Sequence, residues 1–264
     1  MIIQVCGYGF VGRAHALSLQ ASEFESSGFE VKVHDPAKGF VDFVKVHDPA
    51  KGFVDFDGGA DGVIIAVSTP MGEDGSCDVS NVLDCISMVK EDVPILIKST
   101  ISLEGWDAIN LIHNNVTFSP EYLRAAHAME DFKKQETVWL GGGDTSFWGY
   151  ILQSSLGVNI SIATPEELII TKYTRNSFLA LKVAFFNQVF DLCEAAGVDY
   201  DNVAELVALD ERIGSSHTVV TDLMRGFGGH CFPKDTAAFV STGSSLDSPM
   251  TILQEALDYN KRIV

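Results

Sequence analysis

Positive charge is scarce in this sequence: 18 lysines and arginines stand against 36 aspartates and glutamates, a formal net charge of -18 over 264 residues. So acidic a chain is unsuited to nucleic acid or to an anionic membrane surface. Any phosphate it holds must be gripped locally, by backbone amides or a few placed cations. No apolar run reaches membrane-spanning length. The N-terminus, Met1-Ile2-Ile3-Gln4-Val5, lacks the basic stretch of a secretory signal and reads as a strand that meets glycine at once. Five cysteines, an odd number without framework spacing, predict reduced thiols in a cytoplasmic compartment. No metal site is expected. What is abundant is apolar content, 46%, enough at this length for a full core and two domains.

The first strand runs into Gly7-Tyr8-Gly9-Phe10-Val11-Gly12 and a helical pattern from Arg13 to about Ser22. Alone, G-x-G-x-x-G is a weak signal. Between a first strand and a first helix it is a strong one, because the turn, the pyrophosphate approach and the helix packing each need a glycine. A dinucleotide's phosphates would sit on the helix N-terminus. A second strand, Glu30 to His34, ends at Asp35, whose carboxylate would take the ribose hydroxyls and repel a 2′-phosphate, favouring NAD over NADP. Val31 to Phe43 is then repeated letter for letter as Val44 to Phe56, too short and too few for a solenoid. Only one copy can be the strand. We expect the first, after the turn at Ser27-Gly28, which leaves Asp48 as the alternative to Asp35.

Asp61 to Val67, Pro94 to Lys98, Val116 to Phe118 and Val138 to Leu140 read as further buried strands, with a helix at Val79 to Lys90. This alternation predicts a doubly wound, Rossmann-like parallel sheet over residues 1–163, with its site along the carboxyl edge. Ser68, Thr69, Thr100 and Glu121 all fall on that edge. Singly, each is a commonplace cap or turn residue; as a set they are better explained by a site. From Thr164 the pattern turns helical. Pro165, Glu166 and Glu167 open a helix running to Ala196, followed by helices at Tyr200–Ala208, Ser216–Arg225, Pro233–Ser241 and Met250–Ile263. Residues 164–264 are therefore expected to form an all-helical domain with a long connecting helix. Lys172 and Asn176, four apart, share a helix face and suit oxyanion stabilisation, although a solvated face is an equally available reading.

The stretch richest in chemistry is Arg225-Gly226-Phe227-Gly228-Gly229-His230-Cys231-Phe232-Pro233-Lys234-Asp235. Its glycines allow positive φ and a close backbone approach. Cys231 follows them, with His230 between, at a helix start, where the dipole and Lys234 favour thiolate over thiol. Asp235 lies one helical turn further on. Most cysteines are buried and inert; the glycine run and the helix start reverse that expectation here.

These motifs resemble the UDP-glucose/GDP-mannose dehydrogenase family. The glycine turn, Val67-Ser68-Thr69-Pro70 with its Asp74 to Asp78 loop, Lys98-Ser99-Thr100, Ser119 to Arg124, Lys172 to Lys182, Phe186-Asn187 and Gly226 to Asp235 follow in family order. The resemblance implies an NAD-dependent oxidation of a nucleotide sugar's C6 alcohol to the carboxylate. Cys231 would be the nucleophile, passing through a thiohemiacetal and a thioester. Thr100 and Asp235 would position a water, Glu121 would act as acid/base in hydrolysis, and Lys172 and Asn176 would stabilise the oxyanion. It further implies a homodimer paired through the long helix. Two departures stand out. Ala125 occupies a position where the family usually has a second glutamate, and the family continues past the equivalent of Val264 into a nucleotide-binding domain. The alternatives are an NAD-binding remnant without turnover, or a subunit that needs a partner for nucleotide recognition.

Overall fold

A computed structural model describes residues 2–7, 9–21, 30–34, 60–124 and 127–264. The chain divides into two compact units, Met1–Pro70 with Asp78–Lys172, and Met71–Cys77 with Tyr173–Val264.

In the first unit β1 (Ile2–Cys6) leads into α1 (Phe10–Ala21), then β2 (Glu30–His34), β3 (Gly62–Ile65), α2 (Ser80–Ser87) and β4 (Ile95–Ile97). After α3 (Leu103–Asn110) and β5 (Val116–Phe118) come α4 (Ala128–Lys133), β6 (Thr137–Leu140), α5 (Thr145–Leu156) and β7 (Asn159–Ile162). Five strands form one all-parallel sheet in the order β2-β1-β3-β4-β5. The strand order reverses beside β1, the switch point at which such sheets bind ligands. The first copy of the repeat supplies β2, in register with β1 from Ile2↔Glu30 to Cys6↔His34; the second copy lies outside the described residues.

β3, β4 and β5 are buried at every position, the pattern of parallel strands covered on both faces. Ile3, Val5, Ile64 and Leu96 from the sheet pack with Leu19 of α1 and with Trp148, Ile151 and Leu152 of α5 in one core. Caps set the helix ends. The Ser102 hydroxyl accepts from the Gly105 amide at 3.0 Å, and the Asp144 carboxylate accepts from Phe147 N–H at 2.8 Å.

The expected strand at 138–140 exists, but it belongs elsewhere. β6 pairs in parallel with β7 in a separate two-stranded sheet, and only an isolated bridge, Phe118↔Gly141, relates it to β5. β7 escaped the sequence reading because Asn159-Ile160-Ser161-Ile162 is short and none of it is fully buried.

α6 (Pro165–Ala196) opens with the reciprocal bonds of a capping box, Thr164 N–H to Glu167 Oε2 at 2.8 Å and Glu167 N–H to Thr164 Oγ1 at 3.2 Å. From Tyr173 onward this helix belongs to the second unit, with α7 (Tyr200–Ala208), α8 (Phe232–Ser245) and α9 (Thr251–Ile263). Phe186, Phe190, Tyr200 and Val220 form one core there, and Ala180, Ala184, Phe227 and Ala256 another. The helix expected at Ser216–Arg225 is absent. His217 has φ 62°, a left-handed conformation closed to a right-handed helix. The Thr218 carbonyl is taken by Tyr200 Oη at 2.6 Å, and Thr221 bridges Met224 across a tight turn. Among the described residues no helix is long and apolar enough to cross a membrane.

Trp148 carries the largest fully buried side chain of the first unit. Trp148→Ala is expected to cost about 3–5 kcal/mol in urea unfolding; a loss under about 1 kcal/mol would show that the core closes without it.

Candidate active site

The glycine turn is built on backbone contacts that no side chain could replace. Gly7 has φ +87°, and a Cβ there would lie 2.5 Å from the Ala66 carbonyl oxygen, in the strand-end segment after β3. A Cβ on Gly12 would lie 1.9 Å from the Gly7 carbonyl oxygen. A Cβ on Gly9 would meet no other described residue within 4 Å, apart from its chain neighbours and the backbone of α1, whose first i→i−4 bond joins Arg13 N–H to the Gly9 carbonyl at 3.0 Å. Two glycines packed against backbone and a third facing outward at a helix N-terminus fit a dinucleotide's pyrophosphate. Phe10 is exposed beside the turn and Val11 half-buried. On the same edge, Ser68 is exposed, its carbonyl accepting from Asn81 Nδ2 at 3.0 Å, while Thr69 is buried and Thr100 half-buried. Asp35, Asp48 and Ala125 lie outside the described residues.

Glu121, just past β5, is buried, and its carboxylate is ringed by donors. Lys98 Nζ stands 3.1 Å from Oε2 and His15 Nε2 3.4 Å from the same oxygen, while Tyr122 N–H donates to Oε1 at 3.0 Å. Burial by itself pushes this carboxyl up. Lys98 and then His15 more than reverse that, holding Glu121 well below the usual carboxylate range. His15 is pushed down, chiefly by its own burial. We therefore read it as a neutral ring donating Nε2–H, with Lys98 as the formal counter-charge. Lys172, buried on α6, donates from Nζ to the Glu121 backbone carbonyl, with the Tyr122 ring 5.6 Å away.

The second unit assembles the remaining candidates. Gly226 and Gly229 have φ +67° and +77°, and a Cβ on Gly226 would come within 2.4 Å of Asn260 Oδ1. Two buried asparagines hold the turn. Asn187 Oδ1 accepts from Arg225 Nε at 2.8 Å and from Gly226 N–H at 3.0 Å. Asn260 brackets Phe227, accepting its N–H at 2.7 Å and donating to its carbonyl at 2.9 Å. Beyond this clamp Cys231 occupies the N-cap of α8, half-buried, its carbonyl accepting from Asp235 N–H at 2.8 Å. The Asp235 carboxylate is buried; Asn176 Nδ2 donates to one oxygen at 2.6 Å and Lys234 Nζ to the other at 2.7 Å. Lys234, expected beside the sulfur, donates to Asp235.

The structure therefore brings Lys172 to Glu121 in one unit and Asn176 to Asp235, one turn from Cys231, in the other. His15 and Lys98 were missed as site residues. The sequence shows His15 only as a histidine between two alanines, which does not tell a site residue from a space-filling one. Among the described residues no cluster of three or more His, Cys, Asp or Glu could hold a metal ion.

Comparison with known proteins adds identity to this geometry. Residues 57–151 match the NAD binding domain of the UDP-glucose/GDP-mannose dehydrogenase family, and residues 167–262 match its central domain. A UDP-glucose 6-dehydrogenase of Rhizobium meliloti is 32% identical over 223 residues, covering 76% of this chain and 50% of that protein. One from Pseudomonas aeruginosa is 30% identical over 224 residues, covering 77% and 49%. The solved UDP-glucose dehydrogenase of Pyrobaculum islandicum superposes with a TM-score of 0.79 at 30% identity, covering 99% of this chain and 68% of that one. The chain spans about half the length of the curated relatives it matches.

The glycines make separable predictions. Gly12→Ala should unfold the turn, whereas Gly9→Ala should leave stability within about 0.5 kcal/mol and weaken NAD binding at least roughly tenfold by calorimetry. Unchanged NAD affinity in Gly9→Ala would place the pyrophosphate elsewhere.

Proposed function

Because this chain belongs to the UDP-glucose/GDP-mannose dehydrogenase family, we propose that it oxidises the C6 alcohol of a nucleotide sugar to the carboxylate. The Cys231 position carries this reading: a half-buried sulfur at a helix N-terminus, after a clamped glycine turn and one turn from a buried carboxylate. NAD is the cofactor; the glycine turn from Gly7 to Gly12 would hold it, and it would supply the hydride acceptor for two successive oxidations.

Residues 1–163 hold the cofactor and residues 164–264 carry the nucleophile. The first oxidation yields an aldehyde, which has no hydride to give until something adds to its carbonyl carbon. The Cys231 thiolate adds there, and the carbonyl oxygen, on taking a proton from water, becomes the hydroxyl of a thiohemiacetal. Hydride loss from that carbon, with loss of the hydroxyl proton, leaves a thioester. Water then attacks, the C–S bond breaks and the carboxylate departs with the thiol regenerated. Lys172 and Asn176 stabilise the developing oxyanion, one as a cation and one as a neutral donor. Asp235 and Thr100 orient the hydrolytic water. Glu121, ionised in its resting state, enters as the base and becomes the acid only after taking that proton.

The partner reading is a homodimer through α6. Phe178, Phe185 and Leu192 follow at seven-residue intervals along it, each exposed, and Ile252 of α9 is exposed too. A stripe of this kind is read as an interface rather than as a solvated face.

The test is the stoichiometry of NAD reduction with a panel of UDP- and GDP-sugars. Two NADH per sugar acid is expected, and Cys231→Ser should end acid formation. No reduction with any sugar would leave NAD binding without turnover; activity only on adding a separately encoded nucleotide-binding domain would make the chain a partner-dependent subunit. Undiminished acid from Cys231→Ser would remove the nucleophile assignment.

A further inference from the structure

Glu121 is supported by two side chains to which no role has so far been assigned. Lys98 leaves the end of β4 with a side chain 0% exposed, and His15 leaves α1 at 1%; they meet a carboxylate that is itself 3% exposed. A lysine taken wholly out of water is costly unless its charge is answered, so the Lys98–Glu121 pair stands or falls together. Lys98 Nζ donates also to Ser119 Oγ at 2.9 Å, which fixes the ammonium from a second side. The His15 ring meets Phe132 edge-on, with centroids 4.8 Å apart, so its plane is held while Nε2 faces Glu121 Oε2 at 3.4 Å.

We propose that Lys98 and His15 are positioning residues that keep the Glu121 carboxylate ionised and aimed for the hydrolytic step, a role resting on the reading of Glu121 as its base. A carboxylate offers about four lone-pair directions. Tyr122 N–H takes one on Oε1, and Lys98 and His15 take two on Oε2. Among the partners from described residues, that leaves one direction to receive a proton from water. Among the described residues, the charged and titratable groups facing Glu121 are Lys98 from β4, His15 from α1 and, on its backbone carbonyl, Lys172 from α6. Without the Lys98 charge, burial would dominate, and Glu121 would hold a proton at neutral pH and lose its competence as a base.

Isotope-labelled glutamate carboxyl NMR tests this on the protein itself, without turnover, the Glu121 signal being assigned by its loss in Glu121→Gln. In the wild type that signal should stay ionised through the ordinary range around pH 4.3. In Lys98→Met it should titrate far higher, towards the roughly 8–9 of buried glutamates without a counter-charge. Lys98→Arg should restore the wild-type behaviour. Acid release by Lys98→Met should be slow at neutral pH and recover as the pH rises, a profile that a merely structural role would not produce. Should Lys98→Met not fold, His15→Leu is the second arm: a smaller upward move of Glu121, and acid release roughly tenfold slower with the KM for NAD unchanged. A wild-type Glu121 titrating near about 4.3, or an ionised Glu121 in Lys98→Met, would overturn the proposal. A His15→Leu protein identical to wild type would remove His15 from it. NMR shifts as expected in a protein that turns over no nucleotide sugar would overturn the oxidation and leave the carboxylate clamp standing.

Discussion

Backbone lies directly on backbone where the first strand of the sheet ends. Gly7 turns with positive φ against the Ala66 carbonyl, and Gly12 sits on the Gly7 carbonyl, so neither position has space for a methyl group. This close approach lets α1 begin immediately beyond β1 and fixes its rotation about its own axis. With that rotation set, a Cβ at Gly9 would meet no other described residue beyond its neighbours and the helix backbone, and His15, less than two turns on, reaches Glu121 past β5. The cofactor cradle and the support of the carboxylate are thus two consequences of one contact. It forms where the strand order reverses, which is why an acidic chain can hold phosphates with amides and a helix end in place of basic side chains.

Electrostatics within each unit follow a common plan. Among the described residues, both buried carboxylates are met by a lysine and a side chain read as a neutral donor: Glu121 by Lys98 and His15, Asp235 by Lys234 and Asn176. Pairing of this kind is worth little as stability, because two desolvation costs offset the attraction. Its use lies in fixing charge and direction. The two sets differ in support. Glu121 is pinned by its backbone as well, through Lys172, whereas Asp235 depends on the turn at Arg225 to Phe227, which Asn187 and Asn260 hold.

Much of this was legible in the sequence, and the exceptions have physical causes. The glycine turn between strand and helix was readable because each glycine meets a separate steric demand. α7 was located to the residue and α6 within one, since capping signals stood at its start. β7 was hidden by its brevity and partial exposure. The turn after Gly214 imitated a helix because apolar residues recur there, while the left-handed His217 and the Tyr200 bond to Thr218 leave no trace in local pattern. His15 was invisible for another reason. Its partner is 106 residues away, and nothing local separates a buried histidine that supports a carboxylate from one that fills space.

The account turns on a covalent bond between Cys231 and the substrate carbon. Rapid acid quench of the protein during turnover with NAD and a UDP-sugar, followed by mass spectrometry of the Cys231 peptide, observes that bond directly. The account predicts a transient acyl adduct on Cys231, with the mass of the nucleotide sugar oxidised to the thioester level and gone once the sugar is consumed. Acid formed at full rate with Cys231 unmodified throughout would contradict it.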